Sequence, residues 1–322
     1  MMAVRAPEYG SAERLRVLEI ARPSVAPDQV LLRVRAASIN PFDWHLMRGE
    51  PYFVRLMTGV RRPKDGGPLG VDAAGVVETI GAGVTEFRPG DEVFGSVDGA
   101  FAEYAVGYGR HFVHKPANIG LEESAALPGA GVTALQAVRD HGAVVAGQRV
   151  LVNGASGGVG TFAVQIAKAY GAHVTGVCST RNADLVRSLG ADQVIDYTKA
   201  DFLRSGPYDV ILDNVGNRPL LELARVLTPA GTLVAVAGGK GGRLVGGMIR
   251  KVWAGQLDRF VKPHIVTFIA RVTKADMTTL KDLVEAGGLK PVIDRRYKLG
   301  EVPEAIRYVE SGHARAKVLI VI

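Results

Sequence analysis

Residues 149–171, RVLVNGASGGVGTFAVQIAKAYG, constrain this chain more than any other stretch. A short apolar run at 150–152 stops at a turn that holds Gly154, Gly157, Gly158 and Gly160. Apolar residues then recur at helical spacing, at Val159, Phe162, Ala163, Ile166, Ala167 and Tyr170, and Gly171 supplies a stop. The glycines therefore lie between a strand and a helix. The first turn of a helix leaves N–H groups unpaired at the positive end of its dipole, and glycines let an anion reach them without meeting a Cβ. Ala155, Gly157 and Gly160 keep the G-x-G-x-x-G spacing with alanine in first place. A second short apolar strand at 173–178, HVTGVC, completes a βαβ unit. The stretch predicts a dinucleotide pyrophosphate site made by Ala155, Ser156, Gly157, Gly158, Val159 and Gly160.

The same residues carry a rival reading, because Gly154, Ser156 and Gly158 also spell G-x-S-x-G, the nucleophile elbow of α/β-hydrolases. That fold needs several helix-linked strands upstream of the elbow, and the upstream residues here read mainly as β. Asp213 followed by His264 or His313 keeps a triad's chain order, but nothing in the sequence ties them to Ser156.

Beyond the glycine turn, strand and helix patterns alternate. Strands are predicted at 193–197, 208–213, 232–238 and 264–268, and helices at 183–189, 220–227 and 248–260. With the two strands of the βαβ unit this makes six, the pattern of a doubly wound parallel sheet. The first part of the chain differs. Val30, Leu32, Val34 and Ala36 alternate with Arg33 and Arg35, and further short strands are predicted at 74–80, 92–97 and 101–106, punctuated by glycine and proline. This reads as a compact β domain, with the crossover within 122–141. An amphipathic helix at 273–286, the segment PVIDRRYKL, a helix at 302–310 and KVLIVI exceed what the parallel sheet can use, so they return to the first domain.

Composition narrows the function classes. At 322 residues with 47% hydrophobic side chains, the chain can fill two cores. Cys178 is the only cysteine, which excludes an internal disulfide and a thiolate zinc cluster. The net charge of +7 comes from dispersed basic residues without a nucleic-acid motif, so no nucleic-acid partner is expected. No apolar run is long enough to span a bilayer and MMAVRAPEYG lacks an apolar signal core, giving an expectation of cytoplasmic residence.

The segments AASINPFDWHLMRG (36–49), LGVDAAGVVETIGAGVTEFRPGDEVFG (69–95), FAEYAV (101–106), LPGAGVTALQAV (127–138), NGASGGVG (153–160), LGADQVIDY (189–197) and GHARAKVLI (312–320) resemble, in that order, the medium-chain dehydrogenase/reductases, in their zinc-independent quinone oxidoreductase-like branch. The resemblance implies a Rossmann nucleotide domain inserted in a GroES-like β-rich substrate domain, with boundaries expected at 1–123, 124–268 and 269–322, and a homodimer. Zinc members carry an early cysteine ligand and a Gly-His-Glu motif; the corresponding places here read Asn40 and Gly70-Val71-Asp72, so no metal is expected.

NAD-selective folds place an acid at the end of the second strand. Here 175–182 reads TGVCSTRN, without a carboxylate, and Ser179, Thr180 and Arg181 offer hydroxyls and a planar cation for a 2′-phosphate. The expected cofactor is NADPH, although Arg181 also reads as a solvated helix-start residue. By resemblance, Tyr197 is a second phosphate contact, Lys317 a further cofactor contact, and Thr133 and Asn214 nicotinamide-side contacts. Resemblance also places residues 40–45 at the nicotinamide, which makes Asn40 and His45 candidate hydrogen-bond donors to a developing oxyanion, with Asp43 beside them. Each has a plainer reading: Asn40-Pro41 as a turn, Asp43 as a helix cap, His45 as pocket lining. Tyr52 and Phe53 are expected to wall an apolar substrate pocket. The expected reaction is hydride transfer from NADPH to a small-molecule quinone or α,β-unsaturated carbonyl. The alternatives are an NADP-dependent alcohol or aldehyde oxidoreductase, a non-catalytic NADPH sensor, and the Ser156 hydrolase.

Overall fold

The computed structural model describes residues 1–236, 247–258 and 260–322. The chain divides into two compact units, one of Met1–Val132, Val272–Gly287 and Pro291–Ile322, the other of Thr133–Arg271 and Gly288–Lys290.

The second unit holds six strands: β1 (Arg149–Asn153), β2 (His173–Cys178), β3 (Gln193–Asp196), β4 (Tyr208–Asp213), β5 (Leu227–Ala235) and β6 (His264–Thr267). Their spatial order is β3-β2-β1-β4-β5-β6, and every neighbouring pair is parallel. This is the doubly wound sheet the alternation predicts. The inner strands read as continuous apolar runs because a sheet covered on both faces has no polar side to show; Leu151, Val177, Ile211 and Leu233 are all buried in its core. The predicted fifth strand at 232–238 begins earlier, at Leu227, because Tyr208 pairs with Leu227 across a bulge before the regular register resumes at Val210 and Thr232. Its last two predicted residues, Ala237 and Gly238, lie outside the described residues. Arg259 of the predicted helix 248–260 does too, and the helix is described over Met248–Leu257. Strand order reverses between β1 and β4, which opens a crevice at their carboxyl ends.

The first unit is built on a seven-stranded sheet. Along its main path the strands are Ile293–Lys298, Lys317–Val321, Gln29–Ser38, Asp72–Ile80, Glu92–Ser96 and Phe112–His114, and Tyr104–Tyr108 pairs separately with Gln29–Ser38. The alternation at 30–36 predicts a half-exposed strand, and Arg33 is half-buried and Arg35 exposed between the buried Val30, Leu32, Val34 and Ala36, although Leu31 is buried as well. The strand is central in the sheet and pairs with three neighbours. The strand predicted at 101–106 starts at Tyr104. Phe101 is fully buried and its backbone bonds to Leu69 and Val4, which holds it out of the ladder.

The helix Pro41–Arg48 leaves the end of strand Gln29–Ser38. Proline at its first position needs no N–H partner, Asp43 reaches back to the backbone N–H of Asn40 at 2.7 Å, and Gly49 closes it in the left-handed region at φ 59°.

Candidate functional site

The glycine turn joins β1 to the helix α1 (Gly158–Ala169), at the point where strand order reverses. Each glycine has its own reason to be one. A Cβ on Gly160 would stand 2.0 Å from the Gly154 carbonyl oxygen, so this glycine lets α1 close against the turn. Gly154 sits at φ +78°, a conformation side chains resist, and a Cβ there would press on Val215. Gly157 differs from both. A Cβ on it would meet nothing nearer than the Gly154 oxygen at 3.4 Å, so the fold does not require glycine there. What it leaves bare is the backbone at the start of α1, where the N–H groups of Gly158 and Val159 belong to a helix's unpaired first turn. Ala155 is buried and its N–H bonds to the Val177 carbonyl, which fixes the turn to β2.

Ser156 accepts a hydrogen bond from the side-chain amide of Asn182 at 2.9 Å. Within the second unit, Asp213 is buried against Asn153 and Arg250, and His264 faces Asp258, so neither is turned to Ser156. The hydrogen bond that Ser156 accepts comes from an amide, which is not a base. Asn182 itself escaped the sequence reading, and its one signal was position, an asparagine ahead of the helix Ala183–Ser188 where a cap belongs. Its side chain turns to the glycine turn instead, and its buried Oδ1 has no partner.

Asn214 follows β4 and donates to the Asn153 carbonyl at 3.2 Å, which brings it to the rim of the glycine turn. Among the described residues its buried Oδ1 also lacks a partner. Two orphaned acceptors beside a bare helix start suit a dinucleotide, whose ribose hydroxyls and amide are donors. Thr133 is half-buried on the helix Val132–Gln136.

Past β2, Ser179 and the turn Thr180–Asn182 gather with Tyr197, whose N–H bonds to the Cys178 carbonyl at 3.0 Å. Arg181 and Tyr197 are exposed. The sequence reading looked for an acid only along 175–182 and missed Asp196, which β3 delivers from the neighbouring strand. Asp196 accepts the hydroxyl of Thr180 and that of Thr198, and these bonds hold its carboxyl at about 2, below the usual range. The Thr180 hydroxyl is thereby engaged by a carboxylate. Cys178 is buried, and burial pushes its thiol up to about 11, which makes it inert.

In the first unit, two of the three predicted catalytic residues, Asn40 and Asp43, are tied into buried polar contacts. The Asn40 side chain donates to Asp72 Oδ2 at 2.8 Å and to the Ser38 carbonyl at 3.4 Å, and its Oδ1 accepts from Lys317 Nζ at 2.7 Å. Lys317 also donates to the Ile39 carbonyl. Asp72 Oδ2 further accepts from Ser38 Oγ and from the Gly129 N–H. Asp43 accepts the N–H groups of Asn40 and Gly70. Both Asn40 N–H bonds are thus engaged within the protein, Asp43 acts as the helix cap of its plainer reading, and Lys317 is buried with its ammonium on Asn40 and the Ile39 carbonyl.

Two carboxyls and one ammonium share this buried space. Burial pushes Asp43 up to about 7, with Asp72 adding repulsion; it likewise raises Asp72 and lowers Lys317. The folded protein therefore binds the Asp43 proton more tightly than the unfolded chain does. Its contribution to stability is present at acid pH and is lost as pH rises from 3.8 towards about 7. Urea unfolding should show stability falling by about 2–3 kcal/mol from about pH 5 to about pH 8, and Asp43→Asn should flatten that slope. An identical slope in wild type and Asp43→Asn would assign the titration to another group.

His45 lies half-buried on the helix Pro41–Arg48, against Trp44, with Nδ1 2.7 Å from the Glu50 carbonyl. A carbonyl only accepts, so Nδ1 carries the proton and Nε2 offers a lone pair. Burial lowers the His45 pKa and favours this neutral form, which has no donor at Nε2. Tyr52 and Phe53 are both exposed, and the Tyr52 ring lies under the Arg55 guanidinium.

Comparison with known proteins supplies the context for this geometry. A family model described as an alcohol dehydrogenase GroES-like domain matches residues 26–117, and one described as a zinc-binding dehydrogenase matches residues 189–320. The chain is 36% identical to the mitochondrial NAD(P)H oxidoreductase RTN4IP1 of Bos taurus, an alignment covering 97% of this chain and 87% of that protein. It is 32% identical to the chloroplastic quinone-oxidoreductase QR1 of Triphysaria versicolor, covering 99% of this chain and 98% of that one. Among solved structures, the quinone oxidoreductase of Coxiella burnetii superposes with a TM-score of 0.86 at 28% identity, over 100% of this chain and 99% of that one. The zinc in the second family description does not suit the residues here. Asn40, Val71 and Asp72 are not a zinc donor set, Lys317 puts an ammonium beside them, and among the described residues no three His, Cys, Asp or Glu side chains gather around a common point.

Proposed function

Because the chain belongs to the medium-chain dehydrogenase/reductase superfamily, in its quinone-oxidoreductase-like branch, and is an NAD(P)H-dependent oxidoreductase, we propose that it reduces quinones or α,β-unsaturated carbonyls with NADPH and without zinc. The observation that carries this reading is Gly157, a glycine the fold does not need, at the bare start of α1. The bound nicotinamide cofactor supplies the hydride. The chain's own work is to hold and orient. The first-turn N–H groups of α1 would hold the pyrophosphate, Asn182 fixes Ser156 on the turn, and the Asn214 Oδ1 would accept from the cofactor's amide or ribose. Arg181, Tyr197 and Ser179 would hold the 2′-phosphate of NADPH; Asp196, bonded to Thr180 nearby, would oppose a phosphate and limit how strongly NADPH is preferred.

In the first unit, the Lys317–Asn40–Asp72 cluster and the Asp43 cap hold the helix Pro41–Arg48, and with it the ring of His45. Neutral His45 has no donor for a carbonyl acceptor, but its Nε2 lone pair can accept from a water whose other O–H points to the acceptor oxygen and delivers the proton that completes reduction. The reading includes a homodimer, which analytical ultracentrifugation checks, and cytoplasmic residence, which cell fractionation checks. Among the described residues no helix is long and apolar enough to cross a membrane.

The test is a titration with NADPH and NADH, followed by an absorbance assay on a quinone and enone panel. NADPH should bind about tenfold more tightly, and Arg181→Ala should remove most of that difference, about 1–2 kcal/mol. Equal affinity for both nucleotides would overturn the NADPH assignment, and tight binding without turnover on any acceptor would overturn the substrate class.

A further inference from the structure

After the helix Pro41–Arg48 the chain makes a one-and-a-half-turn helix, Val54–Thr58, in which Val54 is buried and the outer side chains are exposed. Leu56 is 75% exposed, Met57 72% and Val60 66%. Such exposure of three neighbouring large apolar groups is unusual, since a typical exposed apolar residue stands singly. The segment that carries them is firmly held. Tyr9 bonds through its hydroxyl to Thr58 Oγ1 at 2.7 Å and to the Gly59 carbonyl at 2.6 Å, and Arg55 bonds to the Gly49 carbonyl while lying over the rings of Tyr9 and Tyr52. The apolar side chains are therefore kept outside by a braced backbone.

The next residues are Arg61, Arg62 and Lys64, all exposed, and among the described residues none of the three is paired with a carboxylate. The acids nearest in sequence are Glu50, whose carbonyl holds His45, and Asp65, which interacts with Arg5. An apolar tip with a cationic collar is the pattern of a peripheral membrane anchor, in which the apolar groups enter the acyl boundary and the cations meet anionic headgroups. A protein partner would need an apolar recess lined with acids; an anionic bilayer offers both features everywhere. The net charge of +7 acts in the same sense.

We propose that residues 56–64 dock this protein on the surface of anionic phospholipid bilayers, Leu56, Met57 and Val60 entering the lipid and Arg61, Arg62 and Lys64 contacting its headgroups. The docking needs no acceptor. Its consequence for the substrate rests on the quinone reading above: a docked enzyme meets acceptors that are dissolved in lipid.

The test is co-sedimentation of the full chain with vesicles of phosphatidylcholine alone and of phosphatidylcholine mixed with phosphatidylserine, with no nucleotide or quinone present, so that its outcome is separate from turnover. The wild type should sediment with the anionic vesicles, less so as salt is raised, and remain in solution with the neutral ones. Leu56→Ser/Met57→Ser and Arg61→Glu/Arg62→Glu should each lower partitioning about tenfold or more while NADPH affinity is unchanged. Three results would each overturn the proposal: no sedimentation with anionic vesicles at low salt, equal partitioning by wild type and both variants, or self-association without lipid that the Leu56→Ser/Met57→Ser variant abolishes, which would give the face to a second copy.

Discussion

Gly157→Val will abolish useful nucleotide binding and leave the fold intact. Valine suits the backbone at this position, which is extended at φ −83° and ψ 176°, and its Cβ finds only one neighbour, the Gly154 oxygen at 3.4 Å. The branched side chain then stands over the first turn of α1, where a pyrophosphate must come within hydrogen-bond distance of the backbone. Losing that approach removes several charge-assisted hydrogen bonds together, so NADPH affinity should fall by about 10³-fold, roughly 4 kcal/mol, with little change in thermal midpoint. Gly160→Ala provides the contrast. Its methyl is driven into the Gly154 carbonyl, backbone against backbone, so it should lose both affinity and stability. If Gly157→Val binds NADPH as wild type does, the cofactor approaches by another route and the reading of the turn fails.

Lys317→Met should destabilise the protein by about 3–5 kcal/mol, since removing one partner of a buried ionic cluster strands the others. Methionine fills much of the same volume, so the loss is electrostatic. It leaves Asp72 and Asp43 in the same buried space without a cation, and leaves Asn40 Oδ1 without its donor. Equilibrium urea unfolding measures the loss, and adding Asp72→Asn should recover part of it, because one of the stranded charges is then gone. A loss below about 1 kcal/mol together with weakened NADPH binding would reverse the assignment and restore Lys317 as a cofactor contact.

The sequence was readable wherever one local pattern decided the outcome. The turn at 153–160 and the six-strand alternation depend on neighbours a few residues apart, and the parallel sheet follows from them. The cap on Pro41–Arg48 was readable for the same reason, as Asp43 lies three residues beyond Asn40. What the sequence could not display were partners brought together across the fold. Asn40 reads as a free donor until strand Asp72–Ile80 brings Asp72 to it and strand Lys317–Val321 brings Lys317. Thr180 reads as a phosphate ligand until β3 sets Asp196 beside it. In both cases a side chain that looks available is already engaged by a residue on the next strand. Asn182 is hidden in the opposite sense: a residue type and position suited to capping a helix serve the glycine turn instead.

The sheet of the first unit has a consequence for how the protein is made. Strand Gln29–Ser38 pairs over Ala36–Ser38 with Lys317–Val321, so that end of its ladder and the cation beside Asn40 and Asp72 come from residues the ribosome adds after the whole second unit. Translation order and completion order are thus inverted: residues 133–271 can fold as soon as they emerge, whereas the unit that was begun first must wait, half-finished, with its acids uncompensated. Until then Ala36–Ser38 presents an unpaired, buried-type edge to the cell, and the nascent chain depends most on chaperones in the interval before residues 317–321 emerge.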